Sequence, residues 1–274
     1  MDINRIKKED IGKGSNIKLN VCETEVDMYW KVAIEVLEII EENNKKGEPT
    51  VMVIPYGPLG PYSRIVHLVN KYRVSLKNCV FINMDEYLTD DDETIDYNNI
   101  LSFHQTMDRM LYSKIDKDLL MPQEQRLFPN PGQEKEIDEL IESLGKVDLC
   151  LTGVGINGHI AFNESASPED DITDEEFRNL GTRCLNIARE TIINNGANKI
   201  RGALDIFPKR CVTLGMKQLL SARVFKVYLY CNWQWGIARK ISLEEASRFA
   251  PASFLQQHPD SEMVITRDLY EFML

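Results

Sequence analysis

The chain has 274 residues, 43% hydrophobic and 27% charged, enough to bury a sizeable core and too apolar for a disordered chain. Its formal net charge of -11 argues against a general nucleic-acid surface, which needs clustered Lys and Arg, though a local pocket can still be positive. The six cysteines (Cys22, Cys79, Cys150, Cys184, Cys211, Cys231) include no Cys-x-x-Cys pair. Neither a disulfide framework nor a zinc site is indicated, and reduced thiols are expected.

Met1–Lys8 carries no apolar stretch of signal-peptide length. The basic cluster Arg5, Lys7, Lys8 runs into Glu9 and Asp10 and reads as solvated surface. No run approaches the roughly 20 apolar residues of a membrane span, so a cytoplasmic protein without a membrane partner is expected. In chain order, Val26, Tyr29, Trp30, Ala33, Val36, Leu37 and Ile40 form a helical stripe. Strand-length apolar runs follow at Thr50–Pro55 and Cys79–Met84, then an exposed acidic stretch at Asp90–Glu93. Ile137, Leu140, Ile141 and Leu144 form a second helical stripe, which Gly145 closes as a C-cap. Val147–Thr152 is a further strand, and Pro168–Glu176 reads as an exposed loop or lid. The last strand candidates are Cys211–Gly215, Val224–Cys231 and Met263–Thr266. Continuous apolar strands alternating with helices predict an α/β fold: a doubly wound, mostly parallel sheet with flanking helices, Rossmann-like, read as one domain over residues 1–274. Ligands of such folds bind beyond the carboxyl ends of the strands. That rule selects the junctions Pro55–Pro61, Asp85–Tyr87 and Gly153–Glu164.

Gly153, Gly155 and Gly158 follow a strand and let the backbone turn tightly against a ligand. The third glycine comes too early for a dinucleotide fingerprint, and His159 follows it at once. Among four histidines, His67, His104 and His258 read as structural or solvated. The glycine context and nearby Glu164 give His159 a proton-transfer role instead. Asp85 and Glu86 end a buried strand, where a carboxylate can act as a base. Alternation sends the two to opposite sides, so at most one is expected to be catalytic.

The segment Asn83-Met84-Asp85-Glu86-Tyr87, with Gly153-x-Gly-x-Asn157-Gly158-His159-Ile-Ala-Phe-Asn163-Glu164, resembles the glucosamine-6-phosphate deaminase/isomerase family. Pro251–Pro259 is similar to that family's late Leu-Gln-x-His-Pro segment, and the likeness runs in order from about residue 25 to 267. The resemblance implies ring opening of an amino-sugar phosphate, aldose–ketose isomerisation and ammonia release, with neither metal nor organic cofactor. It implies that Asp85 moves the proton between C2 and C1, that His159 handles the ring oxygen, and that Glu164 is its carboxylate partner. The 6-phosphogluconolactonases, more distant relatives, resemble Asp-Glu-Arg and Gly-His-Thr-Ala where this chain has Asp85-Glu86-Tyr87 and Gly158-His159-Ile160-Ala161.

Three positions depart from the family pattern. Asn157 stands where an aspartate precedes the Gly-His pair. Tyr56-Gly57-Pro58-Leu59-Gly60-Pro61 lacks the hydroxyls of the family's phosphate loop, and its prolines have no N–H to offer an anion. Gln234, between Trp233 and Trp235, stands nearest the family's phosphate-gripping lysine. The expected catalytic set is therefore Asp85, Asn157, His159 and Glu164. The expected substrate-binding set is Gly57, Leu59, Gly60, Ser63, Arg64, Glu86, Gly155, Gly158 and Gln234. The leading expectation is an isomerase/deaminase acting on glucosamine 6-phosphate or galactosamine 6-phosphate. The alternatives are a relative recognising a non-phosphorylated sugar, and a non-catalytic sugar-binding protein. The expected partner is a small sugar or sugar phosphate; the oligomeric state, homo-oligomers included, stays open.

Overall fold

The computed structural model describes residues 7–272; Arg5 of the basic cluster lies outside them. Strand β1 (Ile17–Cys22) leads into α1 (Glu25–Lys46), where Thr24 and Asp27 form a capping box and Gly47, at φ 72°, ends the helix in the left-handed region. Next come β2 (Thr50–Ile54), α2 (Gly60–Tyr72), β3 (Cys79–Asn83), β4 (Asp85–Leu88) and α3 (Phe103–Met110). The middle of the chain holds β5 (Arg126–Leu127), α4 (Glu134–Ser143), β6 (Leu149–Gly153), α5 (Asp174–Arg178), β7 (Arg183–Asn186) and α6 (Arg189–Lys199). The chain continues through β8 (Arg210–Thr213), α7 (Met216–Leu220), β9 (Val224–Leu229), α8 (Trp235–Leu243), β10 (Ser261–Thr266) and α9 (Arg267–Glu271).

Seven strands form one parallel sheet in the order β1-β10-β9-β6-β2-β3-β5. Strand β2 is wholly buried, as its unbroken Thr-Val-Met-Val-Ile run predicts. From β2 the order first grows toward β3 and β5, then resumes on the other flank with β6 and β9. The β2/β6 boundary is therefore the switch point, where loops leaving neighbouring strands diverge and open a crevice.

Two expectations need correction. Cys211–Gly215 does not enter the parallel sheet: β8 pairs antiparallel with β4 and β7 in a separate three-stranded sheet, with Thr213 opposite both Asp85 and Arg183. Its partners, Asp-Glu-Tyr-Leu and Arg-Cys-Leu-Asn, carry too little apolar periodicity to be read as strands. The α1 stripe is also turned. Met28, Val32, Ala33, Val36, Leu37 and Ile40 are buried, while Val26 and Trp30 stay exposed. Trp30 packs edge-on against His67 of α2 instead. Pro168–Ile172 is a loop, but Thr173 and Glu176 form a second capping box that starts α5. Gly145 follows α4 at φ 70° and its N–H reaches the Glu142 carbonyl. All six cysteines are free, and among the described residues no helix is long and apolar enough to cross a membrane.

Candidate active site

A cavity of about 490 Å³ opens at the switch point, a volume suited to a small ligand. Its walls are the segment after β2 (Pro55–Gly60), Met84 and Asp85, the segment after β6 (Thr152–Gly155, His159, Ala161, Phe162), Asn195 and Lys199 of α6, and Tyr228, Tyr230, Cys231 and Gln234 at and beyond the end of β9. Tyr29 closes one side and Trp233, 37% exposed, stands at the edge. Trp235 turns into the core and donates its indole N–H to the Phe272 carbonyl.

Asp85 and Glu86 separate as alternation requires. Asp85 lines the cavity, only 7% exposed. Burial pushes its carboxyl up to about 7; Glu86 adds to the rise, while Lys199 and His159 oppose it. Glu86 belongs to the supporting structure and not, as expected, to the substrate-binding set. Its carboxylate accepts the N–H groups of Tyr87, Phe103 and His104 and the Ser102 hydroxyl, capping the start of α3.

The loop after β6 is built around its glycines. Gly158 has φ +87°, and a Cβ there would press on Ala250 and Ile237 at about 3.0 Å. Gly155 lies under the imidazole of His159, whose ring occupies the space a Cβ would need. The loop is pinned from below: Asn163 donates to the carbonyls of Ile160 and Leu214, Arg183 donates to Asn163, and the Phe162 N–H donates to Thr213 Oγ1. His159 Nδ1 lies 2.9 Å from Glu164 Oε2, 2.8 Å from Asn157 Oδ1 and 3.3 Å from Thr191 Oγ1. Those acceptors put the proton on Nδ1 and leave Nε2 free to exchange a proton with a ligand. Burial would raise the Glu164 carboxyl, but the His159 imidazole and the donors Asn157 and Thr191 outweigh it and hold the group low.

Asn157 is where the loop departs from its expected charge, and its neighbours explain the amide. Nδ2 donates to Glu164 Oε2 at 2.7 Å and to Glu190 Oε1 at 3.1 Å, while Oδ1 faces the imidazole. An aspartate there would be a third carboxylate beside two others.

Of the residues expected to grip a phosphate, Ser63 and Arg64 are committed elsewhere. Gly57, Leu59 and Gly60 do line the cavity. The Tyr29 ring, however, covers Gly60 at the start of α2, where the prolines already remove N–H donors. Ser63 and Arg64 do not line the cavity: Ser63 donates to the Gly60 carbonyl, and Arg64 turns back to Gly60 and stacks over Tyr29 and Trp30. Gln234 lines the cavity, and its amide carbonyl and one of its two N–H donors are already engaged. Oε1 accepts from the N–H groups of Tyr230 and Cys231 at 2.9 Å each, and Nε2 donates to the Val154 carbonyl at 2.8 Å.

Sequence reading missed three neighbours of this site, Thr191, Asn195 and Lys199. All sit on α6, whose sequence Arg-Glu-Thr-Ile-Ile-Asn-Asn-Gly-Ala-Asn-Lys has too little amphipathic pattern to be singled out. Threonine and asparagine facing one way at i and i+4, with lysine one turn further, was the available signal. Lys199 Nζ sits 4.1 Å from the Tyr56 ring centroid, 4.8 Å from Phe103 and 5.5 Å from Tyr87. Burial draws its ammonium down to about 8, against the attraction of Asp85 and Glu86.

The switch-point cavity and its carboxylate–histidine groups define an α/β protein with a pocket equipped for acid–base work on a small polar molecule. No family model matches the chain. A glucosamine-6-phosphate deaminase of Bacillus pumilus is 30% identical over 217 residues, covering 77% of this chain and 82% of the relative. On that likeness the chain belongs to the glucosamine-6-phosphate deaminase family. A solved monomeric glucosamine-6-phosphate deaminase superposes with a TM-score of 0.79 at 23% identity, covering 92% of this chain and 98% of that one. The 6-phosphogluconolactonase of Trypanosoma cruzi, at TM-score 0.64 and 17% identity over 93% and 95% of the two chains, has the same fold. At the level of the family, the chain is an amino-sugar-phosphate isomerase/deaminase.

Proposed function

We propose that the chain opens the ring of glucosamine 6-phosphate or galactosamine 6-phosphate, isomerises it and releases ammonia. The observation that carries this is the meeting of Asp85 with the His159–Glu164 pair at one cavity. His159, its Nδ1–H held by Glu164 and Asn157, uses Nε2 to move the proton between the anomeric hydroxyl and the ring oxygen, and the ring opens. Asp85 then takes the C2 proton and delivers it to C1. The enolamine between these steps becomes a C2 imine; water adds to it and ammonia leaves. The family's resemblance supplies the order of steps, and the raised Asp85 carboxyl supports a group that accepts and returns a proton near neutral pH.

A second reading is favoured by a specific observation: Ser63 and Arg64 turn away from the cavity, Pro58 and Pro61 offer no N–H, and the neutral Gln234 stands at the lysine position. Under it the same acid–base groups act on an amino sugar whose phosphate is elsewhere or missing. Ammonia release measured with glucosamine 6-phosphate, galactosamine 6-phosphate and unphosphorylated glucosamine separates the two. Turnover of either phosphate supports the first reading, turnover of glucosamine alone the second. Release from none of the three, with tight sugar binding, would leave a binding protein.

A further inference from the structure

Two groups that the family motifs do not explain as a pair share the cavity: Asp85 and the caged ammonium of Lys199. Asp85 is deeply buried, and no donor among the described residues hydrogen-bonds its carboxylate. A carboxylate in that setting needs positive charge nearby to stay ionised. The groups facing it are Glu86 on its own strand, Tyr87 beside it, Tyr62 from α2, Cys211 from β8, His159 from the loop after β6 and Lys199 from α6. Burial keeps the two phenols and the thiol neutral, and Glu86 repels. His159 is committed through Nδ1 to Glu164. Lys199 forms no ion pair within 4.0 Å among the described residues, and its ammonium sits among rings from three elements, Tyr56 after β2, Tyr87 of β4 and Phe103 of α3, with Tyr56 and Phe103 stacked on each other. Aromatic rings hold a cation in place without taking its charge.

We propose that Lys199 is a positioning residue: its ammonium, fixed by the Tyr56–Tyr87–Phe103 cage, keeps Asp85 in the ionised form that C2–C1 proton transfer requires. The inference rests on the proposed reaction for its purpose, but the coupling of the two groups is measurable without turnover. The aromatic cage is the reason a flexible lysine is fixed enough to act in this way.

The test compares the wild-type chain with Lys199→Met, Lys199→Gln and Lys199→Arg in two readouts. The first is the pH dependence of kcat/KM for ammonia release. The acidic limb moves up by about one pH unit or more in the Met and Gln variants and returns to the wild-type position in the Arg variant. The second is the titration of the Asp85 carboxyl by carbon-13 NMR in the ligand-free chain, assigned against Asp85→Asn, where the same displacement is expected. Thermal melting confirms which variants are folded, and the Met and Gln variants serve as replicates of one another. An unmoved Asp85 midpoint in a folded variant overturns the inference. So does a rise in KM with the acidic limb in place, which would make Lys199 a substrate contact. A displaced midpoint in a chain that releases no ammonia leaves the inference standing and removes the proposed reaction.

Discussion

Gln234→Lys puts back the residue type that the family pattern leads one to expect, and the structure says that the exchange fails. Gln234 is 3% exposed and its Oε1 is the shared acceptor of the Tyr230 and Cys231 N–H groups. Lysine has no acceptor, so both amides lose their partner inside the protein, at about 1–3 kcal/mol each. The new ammonium retains one bond, to the Val154 carbonyl that Nε2 now serves. It also brings a second positive charge to a cavity that already holds Lys199. The expected loss is about 2–6 kcal/mol, read as a lower urea midpoint with unchanged slope at pH 7.5. Gln234→Glu, which keeps the acceptor and gives up the donor, should lose less under the same conditions. A Gln234→Lys chain within about 1 kcal/mol of wild type, with a lowered KM for a sugar phosphate, would refute the reasoning. It would show that this position is a free phosphate site and not a structural amide.

Asp85→Asn should abolish ammonia release and yet stabilise the chain in a pH-dependent way. Because the folded Asp85 carboxyl sits at about 7, above its ordinary value of 3.8, folding favours the protonated form. That contribution is complete below about pH 4 and lost as pH rises through 7, so the permanently neutral asparagine should gain up to about 4 kcal/mol at pH 8 and almost nothing at pH 4. Equal gains at both pH values would contradict the burial argument. Asn157→Asp should cost about 1–2 kcal/mol by adding charge beside Glu164 and Glu190. Glu190→Gln in the same chain should recover most of it, and a double-mutant cycle with no coupling would sink that account. Gly155→Ala drives a methyl into the His159 ring. A loss of about 100-fold or more in kcat/KM is expected from the displaced imidazole, with a nearly normal melting temperature; full activity would mean that the ring position is unimportant.

The inner strands of the parallel sheet were legible because they are largely buried on both faces and so are apolar over most of their length, whereas β1 and β5, partly exposed at the two edges, were not. Thr50–Ile54, Cys79–Asn83 and Leu149–Gly153 stand within two residues of where their composition put them. The small antiparallel sheet was not legible, since Asp85–Leu88 and Arg183–Asn186 owe their extended form to pairing with β8 rather than to local pattern. The same division runs through the site. Asp85, His159, Glu164 and Asn157 come from short stretches whose residue types follow one another in chain order, so the sequence alone could nominate them. The alternation of a strand set Asp85 and Glu86 on opposite sides, and the family resemblance named Asp85 as the catalytic one; that Asp85 and not Glu86 lines the cavity is read from the structure. That Glu86 caps α3, that Gln234 ties its own turn to Val154, and that Lys199 stands across from Asp85 among three aromatic rings are contacts between elements far apart in the chain. Only the packing of α6 over the switch point brings that ammonium and that carboxylate to one cavity, because charge acts through space and not along the sequence.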